Sequence, residues 1–192
     1  MIGKGGGDRA ILCGFGRSYE RLQEVSMGLT LDVGCGANKQ PGTIGVDRRL
    51  LPGVDVVCDF ECGLPFRDGS VGAVYSTHSI EHIRDLMLFM EEMYRICAPG
   101  AKVYVRTPYY MSRNAFVDPT HVRFMTEKTF EYFSFPNCYG LRIHFRAVVI
   151  EYKMRGLFKF FPALIQRPFR RHLWNVCDEL VITLEAVKPC GN

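Results

Sequence analysis

The chain has 192 residues, 47% of them apolar and 23% charged, with a formal net charge of +4, which suits one globular domain with a sizeable core and excludes a low-complexity or disordered chain. Its eight cysteines are scattered with no C-x-x-C pair, which argues against a disulfide scaffold or a cysteine metal site and for reduced, buried thiols. No apolar run reaches the roughly 18 residues of a bilayer span, and the first residues lack a signal peptide's apolar core, so a cytoplasmic location is expected.

Residues 1–28 read as a glycine-rich arm without a phosphate-loop pattern, then a short helix over 17–27. Tyr19, Leu22 and Val25 stand there at helical spacing, with Ser18 as a cap and Gly28 as a stop. Residues 29–33 form an apolar, β-prone run carrying Asp32 and breaking into Gly34-Cys35-Gly36, followed by Ala37-Asn38. Such a break lets the backbone turn sharply and approach a ligand, although a lone G-x-G is equally an ordinary strand and turn. Residues 43–47 then read as a second strand ending on Asp47, with Arg48 beside it. A nucleotide-binding unit places an acid there to accept hydrogen bonds from both ribose hydroxyls. Asp47 follows Gly36 by only 11 residues, where a dinucleotide fingerprint has about 20. The first crossover therefore has room for a loop or about one helical turn before Pro41-Gly42.

Residues 54–59 are a third strand finishing on Asp59, followed by Phe60. Three strands ending near Asp32, Asp47 and Asp59 set carboxylates along the carboxyl edge of a parallel sheet, where open α/β sheets bind ligands. The alternative for any one of them is a cap on a turn. Residues 64–70 are turn chemistry, and 71–75 a fourth strand leading into Ser76-Thr77-His78-Ser79-Ile80-Glu81-His82. Ile83, Leu86, Met87, Met90, Met93, Tyr94 and Cys97 then recur at helical spacing, an amphipathic crossover helix whose methionines are core packing. Pro99-Gly100 ends it, and 101–105 supplies a fifth strand.

The long polar and aromatic segment 106–125 contains Asp118-Pro119-Thr120-His121 and is expected to cover an acceptor pocket. Thr126 is placed to cap a helix running through Phe133. Residues 141–152 and 179–187 read as the last two strands. Between them lies a basic, aromatic insertion over 153–177, whose stretch 153–172 carries six Lys and Arg and no acid. Leu157, Phe158, Phe160, Phe161, Leu164, Ile165 and Phe169 are interleaved with those bases. This mixture suits an anionic membrane surface, a nucleic acid or an anionic substrate; the alternative is a packed flap with solvated arginines. No metal-ligand spacing is read from the sequence.

The set Leu31-Asp32-Val33-Gly34-Cys35-Gly36, Asp47, Cys58-Asp59, Leu64-Pro65-Phe66, the His78-Ser79-Ile80-Glu81-His82 run and Pro99-Gly100, in that order, resembles the class I S-adenosylmethionine-dependent methyltransferases, in particular their type 11 or UbiE-like branch. The resemblance implies a Rossmann-like α/β fold with a seven-stranded, mostly parallel sheet, helices on both faces and an antiparallel last strand, formed as a single domain over residues 29–192. It implies S-adenosylmethionine as cofactor. Asp32, Gly34, Cys35 and Gly36 would line its methionine and ribose, Asp47 with Arg48 its ribose diol, Asp59 and Phe60 its adenine, and Ser76 and His78 its methyl group. Asn38 stands where many members carry a third glycine, so the ribose pocket is expected to draw on residues 39–42.

The expected reaction is methyl transfer to an oxygen, nitrogen or carbon of a small or amphiphilic molecule. His121, His78 and Tyr109 are the candidate catalytic groups, beside His82 and Tyr110. The alternatives are an RNA or protein methyltransferase and a non-catalytic cofactor-binding regulatory module. A nicotinamide dehydrogenase fits poorly, with Lys39 at its third glycine position. So does a nucleic-acid amino-methyltransferase, which would show an N-P-P-Y-type run where Ser76-Thr77-His78-Ser79 stands.

Overall fold

Runs of Val, Ile and Leu become the strands of one sheet in a computed structural model that describes residues 11–12, 28–134 and 140–188. The helix expected over 17–27 and three of the cysteines (13, 138 and 190) lie outside those residues. The strands are β1 (Ile11–Leu12), β2 (Leu29–Val33), β3 (Ile44–Asp47), β4 (Val56–Val57), β5 (Val71–Thr77), β6 (Cys97–Pro108), β7 (Phe145–Met154) and β8 (Cys177–Ala186). Their order across the sheet is β1-β4-β3-β2-β5-β6-β8-β7. Strands β1 to β6 run parallel, and β8 is antiparallel to both neighbours. The seven expected strands are present with the last one reversed, and the two-residue β1 extends the edge by pairing Ile11 with Val56. Strand order reverses between β2 and β5, which opens a crevice at their carboxyl ends.

Local chemistry sets the boundaries. The third strand is shorter than the sequence pattern, because the Asp55 carboxylate accepts the Gly45 N–H at 2.7 Å and ladder pairing with β3 begins at Val56. Asp59 therefore lies beyond the strand in a turn. Helix α1 (Leu86–Ile96) starts three residues later than Ile83, where Asp85 accepts the N–H groups of Met87 and Leu88 as N-cap. A 3-10 turn, Ile80–His82, precedes it. The face of α1 that packs on the sheet is Leu86, Phe89, Met90, Met93 and Ile96, so the methionines are core. Strand β6 begins at Cys97 and carries Pro99-Gly100 through an irregularity in its pairing with β5. Helices α2 (Asn114–Val117) and α3 (Glu127–Glu131) follow β6; Thr126 caps α3 in a reciprocal box with Thr129. Helix α4 (Ala163–His172) lies between β7 and β8.

Among the described residues, helices appear only after β5; the connections from β2 through β5 are turns. Side chains hold those turns instead. Lys39 Nζ reaches Asp55 at 2.7 Å, and Arg95 donates to Glu92, to Asp68 and to the carbonyls of Leu64 and Phe66. No helix of the described residues is long and apolar enough to cross a membrane.

Candidate active site

A cavity of about 600 Å³ opens at the carboxyl ends of β2, β3 and β5, within the size range of pockets for small molecules and cofactors. One end is made by the glycine loop. Asp32, at 3% exposure, accepts the Gln40 N–H at 2.8 Å; burial pushes its pKa up, against the pull of that N–H and of Lys39. Asp47, 6% exposed, accepts the N–H of Gly36 on one oxygen and of Arg49 on the other, both at 2.9 Å. A carboxylate oxygen accepts two hydrogen bonds, so Asp47 keeps acceptor capacity where it lines the cavity.

The two glycines differ in what requires them. A Cβ on Gly34 would stand 2.3 Å from the Ser79 Cβ, whereas one on Gly36 meets nothing within 4 Å and would project into open space. Gly34 is a packing glycine, and Gly36 leaves room for a ligand. Both have positive φ. Cys35 lines the same end; burial first, then the Asp32 and Asp47 charges, push its thiol up to about 11. Asn38, Gln40, Arg48, Arg49, Phe60 and Glu61 complete this half.

Several expected site residues stand elsewhere. Asp59 is exposed and absent from the lining; its carboxylate accepts the Glu61 N–H at 3.1 Å and caps the turn after β4. Ser76 is fully buried, with its hydroxyl 2.7 Å from that of Ser79. Successive side chains on a strand face opposite ways, so the neighbouring Thr77 is the one that lines the cavity. Tyr109 is 2% exposed and also absent from the lining. Its N–H pairs with the Asp178 carbonyl at 3.0 Å, and its ring packs on Tyr110 and Tyr152, away from the cavity. Burial raises its pKa.

The other end of the cavity is made of imidazoles and their partners. His78, Ser79, His82, Asp118 and Thr120 line it. His78 is held at φ 51, uncommon for a residue with a side chain. Its Nδ1 is 3.4 Å from Glu81 Oε1 and its Nε2 3.1 Å from Glu179 Oε1. The Glu81 carboxylate raises the His78 pKa against the effect of burial, with Glu179 adding to the rise. His121 does not line the cavity; its side chain is 8% exposed, with the ring edge-on to that of His82 at 4.8 Å. Glu81 and Glu179 are the residues that sequence reasoning missed. Glu81 carried a signal, an acid three residues after one histidine and next to another. Glu179 carried none, since only the pairing of β8 with β6 brings it opposite Pro108.

The insertion between β7 and β8 is docked through Arg170. Arg170 is 8% exposed, and its guanidinium lies 3.4 Å from the Tyr152 ring centroid. Phe158, Phe161 and Phe169 pack against one another, edge-on or tilted. Leu157, Phe160 and Leu164 point outward at 77%, 75% and 82% exposure.

A family model described as "Methyltransferase domain" matches residues 11–105. Norajmaline N-methyltransferase of Rauvolfia serpentina is 35% identical over 108 residues, covering 44% of this chain and 36% of that protein. A probable S-adenosylmethionine-dependent methyltransferase of Mycolicibacterium smegmatis is 30% identical over 127 residues, covering 55% and 49%. The chain thus spans less than half the length of these curated relatives. A solved S-adenosylmethionine-dependent methyltransferase from Archaeoglobus fulgidus superimposes with a TM-score of 0.59 at 19% identity, covering 83% of this chain and 86% of that one, which carries the fold. These matches do not single out the UbiE-like branch. With the sheet order, the glycine loop and the acid after β3 in place, the chain matches the class I S-adenosylmethionine-dependent methyltransferases in its fold and, over residues 11–105, in its sequence.

Proposed function

We propose that this chain transfers a methyl group from S-adenosylmethionine to an oxygen, nitrogen or carbon of a small or amphiphilic acceptor that enters beside His78, His82 and Thr120. The observation that carries this reading is the polarity of the cavity: buried carboxylates and an open glycine at one end, imidazoles at the other. The residues that line it fit the cofactor. Asp47 would accept from the ribose hydroxyls, Gly36 leaves space for the sugar and methionine, and Phe60 offers an apolar face to the adenine. Bound there, the sulfonium supplies an already activated methyl group, so no residue has to activate the donor. The protein's part is to hold the acceptor in line with the S–CH3 bond and exclude water, an effect worth roughly 7 to 11 kcal/mol when alignment is good.

His78 is the polar side chain placed to meet the acceptor: its ring lines the cavity, held between the carboxylates of Glu81 and Glu179, which favour its protonated form. The norajmaline relative is by its name an N-methyltransferase, which supports nitrogen among the acceptor atoms. The outward Leu157, Phe160 and Leu164, set among bases, support an acceptor presented at an anionic amphiphilic surface. Labelled cofactor offered with lipid, RNA, protein and metabolite pools tests the reading. Label entering a lipid or small-molecule pool is expected; label in RNA or protein overturns the acceptor class. Cofactor binding without transfer to any pool would leave a regulatory module. Flotation with anionic vesicles at low salt tests the surface separately. The wild type is expected to float and a Leu157→Ser, Phe160→Ser double variant to sink; a wild type that does not float removes the surface contact.

A further inference from the structure

Behind the acceptor end of the cavity, Glu81, His82 and His121 each offer one ligand atom, and these atoms lie within 4.8 Å of one another. They come from the 3-10 turn after β5 and from the segment after α2, so tertiary folding alone assembles them. Glu81 is 1% exposed. Its Oε2 accepts the Thr107 hydroxyl at 3.1 Å, while its Oε1, also buried, has no hydrogen-bond partner. A buried carboxylate oxygen left in that state is costly. Two imidazole nitrogens face it, His78 Nδ1 at 3.4 Å and His121 Nε2 at 3.9 Å.

The hydrogen bonds also fix which ring nitrogens carry protons. His121 Nδ1 is 2.9 Å from the Ala115 carbonyl, and a carbonyl can only accept, so Nδ1 bears the proton and Nε2 keeps its lone pair. The Thr120 hydroxyl donates its single proton to Asp118 at 2.6 Å. Thr120 Oγ1, 3.0 Å from His82 Nδ1, is then an acceptor, and so is the Thr120 carbonyl at 3.3 Å. His82 Nδ1 therefore carries the proton and Nε2 is free. Imidazoles whose Nδ1–H is anchored to a backbone carbonyl or polar oxygen, with Nε2 left bare, are the usual arrangement of histidine metal ligands.

We propose that Glu81, His82 and His121 bind one divalent transition cation of the Zn2+ or Fe2+ class, the metals that two imidazoles and a carboxylate suit. Bonds of about 2.1 Å draw the three ligand atoms closer together than they stand here, and the ring of the half-buried His82 is the one with room to swing. Three protein ligands leave coordination positions free. His82, Asp118 and Thr120 line the cavity, so those positions face the place where an acceptor enters. The site stands without the transfer reading, because the same cation could act as a purely structural clamp between the 3-10 turn and residues 118–121.

Protein stripped with a chelator and titrated with Co2+ and with Zn2+ tests this. One ion per chain is expected, with Co2+ giving visible d–d absorption and no thiolate charge-transfer band. Glu81→Gln and His121→Ala should each weaken binding at least ~10-fold, and His172→Ala, on the exposed end of α4, should leave it unchanged. Should Glu81→Gln fail to fold by circular dichroism, His82→Ala, whose ring is partly solvent-exposed, takes its place with the same expected loss. No stoichiometric ion, a thiolate band, or equal affinity in these variants overturns the proposal. Cofactor affinity measured on the same samples reports on the methyltransferase reading by itself, so either can fail alone.

Discussion

At the glycine-loop end of the cavity the polar contacts join neighbours in sequence: Gln40 to Asp32, Gly36 to Asp47, Arg49 to Asp47. At the imidazole end they join distant segments, His78 to Glu179, Thr107 to Glu81 and His82 to Thr120. The first kind uses side-chain carboxylates on backbone N–H groups to do what helices do in longer crossovers, so a short stretch of chain specifies its own shape. The second kind exists only once β5, β6 and β8 have paired. One half of the cavity is therefore a property of a loop, and the other a property of the assembled sheet.

The largest effect that would sharpen this contrast is on folding. Gly34→Ala forces a Cβ against Ser79 at positive φ and should lower stability by about 3 kcal/mol or more in urea denaturation. Gly36→Ala, with open space around it, should cost only the left-handed strain of roughly 1 to 2 kcal/mol; equal losses would break the distinction between the packing glycine and the ligand glycine. Next comes Asp47→Ala, which removes an acceptor from two backbone donors and from the ribose. Calorimetry should show S-adenosylmethionine affinity falling by about 2 to 3 kcal/mol, and an unchanged affinity would mean the cofactor lies elsewhere. At the imidazole end, His121→Ala should slow methyl transfer roughly tenfold while cofactor affinity stays within about twofold. Parallel losses would merge the two halves into one unit. The smallest effect belongs to Asp59→Asn: a turn-capping change at an exposed site should alter cofactor affinity and stability by no more than about 0.5 kcal/mol, and a large loss would return Asp59 to the adenine.

What could be read from the sequence follows the same division. The strands β2, β3 and β5, the compressed first crossover and the Thr126 cap are written in local pattern, and each stands close to where periodicity and turn chemistry put it. Ser76 was misread by one residue of strand parity, which only an exact register resolves. Tyr109 follows a strand end as an active-site residue would, but pairing with β8 turns its ring toward Tyr152 and Arg170. Glu179 and the near approach of His121 to Glu81 depend on contacts across the sheet and between loops, and no pattern within a window of sequence announces them.

The burial of the Cys35 thiol has a consequence for its reactivity. A methyl sulfonium is an alkylating agent, and the nucleophile in thiol alkylation is the thiolate. An unperturbed cysteine is a few per cent ionised near neutral pH. With its pKa pushed up to about 11, Cys35 stays protonated near neutral pH. Burial first, and then the carboxylates of Asp32 and Asp47 that shape the loop, keep this thiol protonated and make Cys35 a poor target for electrophilic reagents while the loop is folded.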